Sequence, residues 1–231
     1  MQQPMFDQFV DDFSRNASGN ALKRRVKPHS DTLGRRVGHA LLACGSHGEA
    51  KFAADILHLF KPLEVVNYSV EPRWVRLEGV GPNGLPIVAE LQEKVYPVLN
   101  TGKKKQPWKL DLTIQMYDRS LDDSPSEIAS YCFEYDGHDS HYTSDGVRSA
   151  YLRDATVALT RGYTTIRVWP QHWHRHKDEM LDLFWDRLSE IAENDRQRRY
   201  REASDAFDFV LDLYPEFGDR APSYDDWFGD I

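Results

Sequence analysis

The chain has 231 residues, 40% hydrophobic and 12% aromatic, which is enough to close one sizeable core with appendages and too little for several independent domains. Its apolar runs are short, and Met1-Gln2-Gln3-Pro4-Met5-Phe6-Asp7 has no basic stretch leading into an apolar one; neither a membrane span nor a secretory leader is expected, and a soluble cytoplasmic protein is. The net charge of -8 argues against a uniformly basic nucleic-acid binder, and two cysteines, Cys44 and Cys132, make neither a disulfide framework nor a zinc CxxC site.

Residues 1–13 can form a short amphipathic turn through Met5, Phe6, Phe9, Val10 and Phe13. Residues 14–38 hold seven bases (Arg15, Lys23, Arg24, Arg25, Lys27, Arg35, Arg36) against Asp31 alone; such a polar stretch reads as a basic arm, mobile or ordered only on binding. A helix is expected from Ser46, because Ser46-His47-Gly48-Glu49 suits a capping box ahead of apolar Phe52, Ala53, Ile56, Leu57 and Phe60, and Pro62 should stop it. Strands follow over residues 64–80, with a break at Pro72, and over 85–99, joined by the turn Gly81-Pro82-Asn83-Gly84. A loop carrying Lys103, Lys104 and Lys105 leads to a third strand, 108–117, in which Leu110, Leu112 and Ile114 alternate with Asp111, Thr113 and Gln115.

After an acidic loop around Asp122 and Asp123 comes a fourth strand, 129–135, then a helix over 145–160 and a strand over 164–169. A loop with His172, His174 and His176 precedes a long helix from about residue 177 into the 190s. Histidines two apart in a loop, without cysteine or carboxylate partners, are a poor zinc set; with Trp169 and Trp173 they could stack on bases or pack the last helix. Residues 202–231 hold nine acids and one base, -8 by themselves, with Tyr214, Phe217, Tyr224, Trp227 and Phe228 interspersed. The expected division is a basic arm (1–38), a central domain (39–200) and a helical end with an acidic aromatic tail (201–231).

This order predicts a mixed α/β fold, and its carboxylates fall at telling places. Asp111 lies in the third strand, Glu134 and Asp136 lie two apart at the end of the fourth, and Glu49 sits in the first turn of the leading helix. If the third and fourth strands pair antiparallel, Asp111 comes within reach of Glu134. Two carboxylates brought together on core strands repel unless a cation lies between them.

A helix Glu49, the strand Asp111, then Glu134-Tyr135-Asp136-Gly137 with His138 and His141 behind it, Arg153-Asp154, and Gly162-Tyr163-Thr164-Thr165-Ile166-Arg167-Val168 together resemble the PD-(D/E)XK nuclease-like superfamily. The pattern is most similar to its branch of very short patch repair and small restriction-like endonucleases. The match covers residues 46–169. The resemblance implies a restriction-endonuclease-like mixed β-sheet flanked by helices, with a long C-terminal helical segment beyond the match. It implies Asp111 as the bridging metal ligand, Glu134 as the second, the backbone carbonyl of Tyr135 completing the set, and Glu49 supporting the metal or its water. The family's lysine position is taken here by Asp136, and His141, or else His138, is the candidate to polarise water or protonate the leaving oxygen. The stretch between Asp111 and Glu134 is longer than the family's, which keeps Asp118 open as an alternative to Asp111.

The expected activity is Mg²⁺- or Mn²⁺-dependent endonucleolytic hydrolysis of DNA. Phosphate contacts are expected from Lys23, Arg24, Arg25, Arg35, Arg36, Lys103, Lys104, Lys105, Arg153 and Arg167. The alternatives are a catalytically inactive nuclease-fold protein that binds nucleic acid, or a protein-interaction module docking through its acidic tail. Cutting both strands of a duplex would favour a homodimer or a partner.

Overall fold

The computed structural model describes residues 3–15, 17–96, 107–118, 125–137 and 142–213, with side chains between residues 8 and 205 of those spans. Alternating apolar residues build a six-stranded sheet whose spatial order is its sequence order: β1 (Leu63–Val70), β2 (Arg73–Val80), β3 (Pro86–Val95), β4 (Trp108–Tyr117), β5 (Glu127–Tyr135) and β6 (Thr164–Val168). Neighbours run antiparallel except β5 and β6, which are parallel. The sheet does not close on itself. Around it are α1 (Gln3–Arg15), α2 (Gly19–Ala21), α3 (Lys27–Leu33), α4 (Arg35–Ala40), α5 (His47–Leu57), α6 (Ser144–Arg161) and α7 (Pro170–Leu213), with a π-helical turn at Leu22–Val26. The mixed α/β class and the long C-terminal helix agree with the expectation from sequence, as does β4, residue for residue.

The two faces of the sheet are covered unequally. On one, Phe9 and Phe13 of α1, Val37 and Ala40 of α4, Phe52 and Ile56 of α5 and Phe184 and Leu188 of α7 pack on Leu77, Leu91, Leu112, Ile114 and Phe133 in the main core. On the other, Val157 of α6 joins Val95, Leu110, Cys132 and Tyr163 in a smaller one. Cys132 and Phe133 are consecutive in β5 and point to opposite faces, so the sheet separates the two cores. A parallel β5–β6 pair requires a crossover, and α6 supplies it. Thr143 caps its start, accepting from the Gly146 N–H at 3.1 Å. Gly162 ends it at φ +74°, a left-handed conformation that glycine takes without a Cβ penalty, donating to Ala158 O at 3.0 Å.

Two expectations are corrected. The segment 14–38, read as a mobile polar arm, is almost entirely helical, and its Val26 and Val37 are buried in the main core. Its apolar residues are sparse, but they meet a surface supplied by α1, β1 and α5. His172, His174 and His176, read as loop residues, lie in the first turns of α7, where the His172 and His176 rings stack at 4.7 Å. That helix bends at His176 (φ -123°, ψ 15°). Among the described residues, no helix is long and apolar enough to cross a membrane.

Candidate active site

The site forms where β4 changes face. Residues two apart in a regular strand share a face, yet Leu112 belongs to the main core and Leu110 to the α6 core, so β4 turns over at Asp111. Its neighbour β3 does the same: Leu91 packs in the main core and Val95 in the other, and between them Gln92 has φ +61°. A non-glycine residue in that region costs about 1–2 kcal/mol. The β3–β4 ladder skips the Gln92 and Asp111 pair, and the β4–β5 ladder begins only at Leu112 and Phe133.

Asp111 therefore sits in a gap between strands, and its side chain replaces missing ladder bonds. It accepts the Tyr135 backbone N–H at 2.9 Å and the Gln92 amide at 3.3 Å. One step beyond Phe133, the Glu134 carboxylate is buried on the α6 face, accepting from Arg153 at 2.8 Å and facing the Cys132 thiol at 3.5 Å. Arg153 also donates to Lys109 O. Burial pushes Glu134 up to about 8, with the Asp111 charge adding and Arg153 opposing. Burial likewise pushes Asp111 up to about 6, the Glu49 carboxylate adding. Exclusion of water is the larger cause for both acids, and a carboxylate close by adds to it.

Glu49 arrives from the opposite side. Ser46 caps α5, its Oγ accepting the Glu49 N–H at 3.1 Å, while Glu49 accepts the Gly45 N–H at 2.6 Å. The first turn of α5 lies against the Tyr135 ring because residue 48 is glycine; a Cβ there would meet that ring at 2.7 Å. The capping box and the site carboxylate are thus one residue serving both purposes. Arg25, from the π-helical turn, donates to Cys44 O at 2.5 Å and Gly45 O at 3.1 Å, which ties the basic segment to the loop that positions Glu49.

Asp136 is placed differently from Glu134. Its N–H continues the sheet to Val168 O at 3.0 Å, and its carboxylate takes Arg167 at 2.9 Å. Arg167 also forks onto Asp154 of α6 at 2.7 and 2.8 Å, and these partners raise its pKa further. Arg153 and Arg167, expected to meet phosphate, are instead engaged with Glu134 and with Asp136 and Asp154. Replacing Arg167 with Ala should cost about 3 kcal/mol, because the acids it serves are largely buried; a lowered urea midpoint at unchanged m-value is the readout.

Other expected residues are distributed as follows. The Tyr135 carbonyl accepts the Gly137 N–H at 2.8 Å, leaving one lone pair. Asp118, the alternative to Asp111, lies at the far end of β4, accepting from Ser126 N at 2.7 Å and facing Arg198 at 3.7 Å; it does not join the site. Lys23, Arg24 and Arg35 are exposed, and the Arg36 guanidinium lies 5.9 Å from the Phe9 ring centre. His138, His141, Lys103, Lys104, Lys105 and the tail beyond residue 213 lie outside the described residues.

Sequence reasoning missed Gln92, whose signal is the polar run Gln92-Glu93-Lys94 near the end of β3. It also missed Tyr142, whose hydroxyl donates to Asp136 O at 2.6 Å and whose ring meets the exposed Trp169 edge-on at 5.5 Å. No group of three or more His, Cys, Asp or Glu side chains among the described residues is gathered to hold a metal ion. The donor chemistry does suit one: Asp111, Glu134 and Glu49 offer hard oxygens of the kind Mg²⁺ or Mn²⁺ takes, and Arg153 now supplies the positive charge at Glu134. No protein-family profile, no curated protein and no solved structure matches this chain.

Proposed function

We propose that the protein is a metal-dependent endonuclease that hydrolyses DNA phosphodiesters on a restriction-endonuclease-like sheet. The observation that carries this reading is the pair Asp111 and Glu134: a half-buried and a buried carboxylate with raised pKa values, held where β4 leaves its neighbours. A fold places acids in such a spot at a cost to its own stability, and a bound divalent cation relieves that cost. Asp111 and Glu134 would hold Mg²⁺ or Mn²⁺, with Glu49 of α5 near Asp111. The ion would supply Lewis acidity at a phosphate oxygen and a more acidic bound water. The chain's own residues orient this arrangement: Tyr135 N–H and Gln92 fix the Asp111 carboxylate, the Gly45 N–H fixes Glu49, and Arg153 keeps Glu134 aligned. The exposed Tyr142 and Trp169 rings offer an aromatic edge beside the strand end, and Lys23 and Arg24 a positive rim.

A second reading, a nuclease-fold protein without catalysis that binds nucleic acid, is favoured by one feature. Asp136 stands where the resemblance calls for lysine, and its carboxylate is locked to Arg167. A protein partner docking on the acidic tail, and a homodimer cutting two strands, belong to the same proposal. The two readings separate in one assay: supercoiled, linear, single-stranded and branched DNA incubated with Mg²⁺, Mn²⁺ or EDTA, beside an Asp111→Ala/Glu134→Ala double variant. Metal-dependent products from the wild type and none from the double variant are expected; binding without cleavage by the wild type moves the assignment to the second reading.

A further inference from the structure

The outer side of α5 carries a polar stripe whose ligand, given the nuclease reading, is nucleic acid. His47, Lys51, Asp55 and His58 recur at intervals of four, four and three residues and form one stripe, while Phe52, Ile56 and Leu57 face the core. At 1.5 Å per residue the stripe is about 16 Å long. Two walls flank it. On one side α3 brings His29 over the stripe, and Thr32 hydrogen-bonds the His58 ring at 3.2 Å. On the other, α7 brings Trp173, His174, Arg175, Lys177 and Asp178, enclosing with Lys51 and Asp55 a cavity of about 220 Å³.

Two acids line this cavity, Asp55 and Asp178, and Lys177 stands beside both, 3.9 Å from Asp178. Asp55 accepts the Trp173 indole N–H at 3.2 Å and faces Lys177 at 3.6 Å. Lys51 and Arg175 make no ion pair with the described residues, and both are exposed. Burial lowers the pKa of His29 and His58, and both rings can exchange hydrogen bonds with a polar ligand. A trough with Lys51 and Arg175 outside any ion pair, imidazoles along the other wall and an aromatic end suits a chain of phosphates better than an apolar ligand.

We propose that this groove seats the phosphodiester backbone of a DNA strand flanking the cleavage site. Its His47 end opens at the first turn of α5, the turn that carries Glu49 on its inner side, so a backbone lying along the stripe leaves the helix beside the carboxylates. Sixteen ångströms spans several phosphates at about 3.4 Å of axial rise per residue of a duplex strand.

The test measures binding of a fluorescein-labelled 20-base-pair duplex and its single strand in EDTA by anisotropy at several salt concentrations. Wild type is compared with Lys51→Glu/Arg175→Glu and with Arg148→Glu, which reverses an exposed charge on α6 across the sheet. The groove variant is expected to bind at least about 10-fold more weakly, with a slope of log K against log salt shallower by about 2 on the duplex, while Arg148→Glu behaves as wild type. Equal weakening by both variants, an unchanged groove variant, or no binding by the wild type overturns the proposal. Cleavage with Mn²⁺ by a groove variant that also binds normally rejects the groove and keeps the nuclease; a groove-dependent affinity in a wild type that cuts nothing keeps the groove and rejects the nuclease.

Discussion

Glu134→Gln should reduce metal-dependent DNA cleavage by about 10³-fold or more, while the affinity for the same DNA in EDTA changes by less than about threefold. The substitution is nearly isosteric: the amide oxygen can still accept from Arg153, and Cys132 and Phe133, the two residues before it, keep their packing. What is removed is one negative charge at the place proposed to hold the ion. Loss of a Lewis-acid contribution of several kcal/mol corresponds to three or more decades of rate. Asp111→Asn should fall as far, and the double variant little further, because ligands of one ion act as a unit. Single-turnover cleavage at saturating Mn²⁺ separates this from weakened metal affinity. A Glu134→Gln protein that cuts at the wild-type rate removes the site from consideration.

How far the site was legible from sequence depended on the range of the interactions that build it. The alternation Leu110, Leu112, Ile114 against Asp111, Thr113, Gln115 is a local signal, and β4 appeared with the expected bounds. Ser46 and Glu49 were readable because a capping box closes within four residues. The antiparallel pairing that brings Asp111 toward Glu134 was also expected and is present. The face switch at Asp111 was not legible, since it needs Gln92 at φ +61° on a neighbouring strand. Nor was the fate of Arg153 and Arg167: a guanidinium 19 residues from Glu134 in sequence, or 31 from Asp136, carries no local mark of its partner. The helical segment 14–38 escaped for a similar reason. Of its described apolar side chains only Val26 and Val37 are deeply buried among the charges, and their burial depends on a surface made by distant residues.

The metal-free protein should lose stability as pH rises from 5 to 9, and divalent cations should restore it. In the unfolded chain both acids titrate near pH 4; in the fold, burial holds Asp111 at about 6 and Glu134 at about 8. Between those values the native state binds more protons than the unfolded one, so unfolding free energy falls with pH. The contribution is fully present below about pH 4, and is lost as pH passes through 6 and then 8. For shifts of this size the loss between pH 5 and pH 9 is on the order of 5 kcal/mol, or roughly 10–20 °C in melting temperature for a chain of this length. Mg²⁺ binds the ionised carboxylates and not the neutral ones, so its stabilisation should be small at pH 5.5 and large at pH 8.5. Glu134→Gln, uncharged throughout, should flatten the part of the curve above pH 6.5 and leave the Asp111 part below it. Melting curves in EDTA and in 10 mM Mg²⁺ across this range, for wild type and Glu134→Gln, supply the measurement. A wild type whose melting temperature in EDTA does not fall between pH 6.5 and 9, or a Mg²⁺ shift equal at both pH values, would mean that Glu134 is kept ionised by Arg153 alone and that the carboxylates do not await a cation.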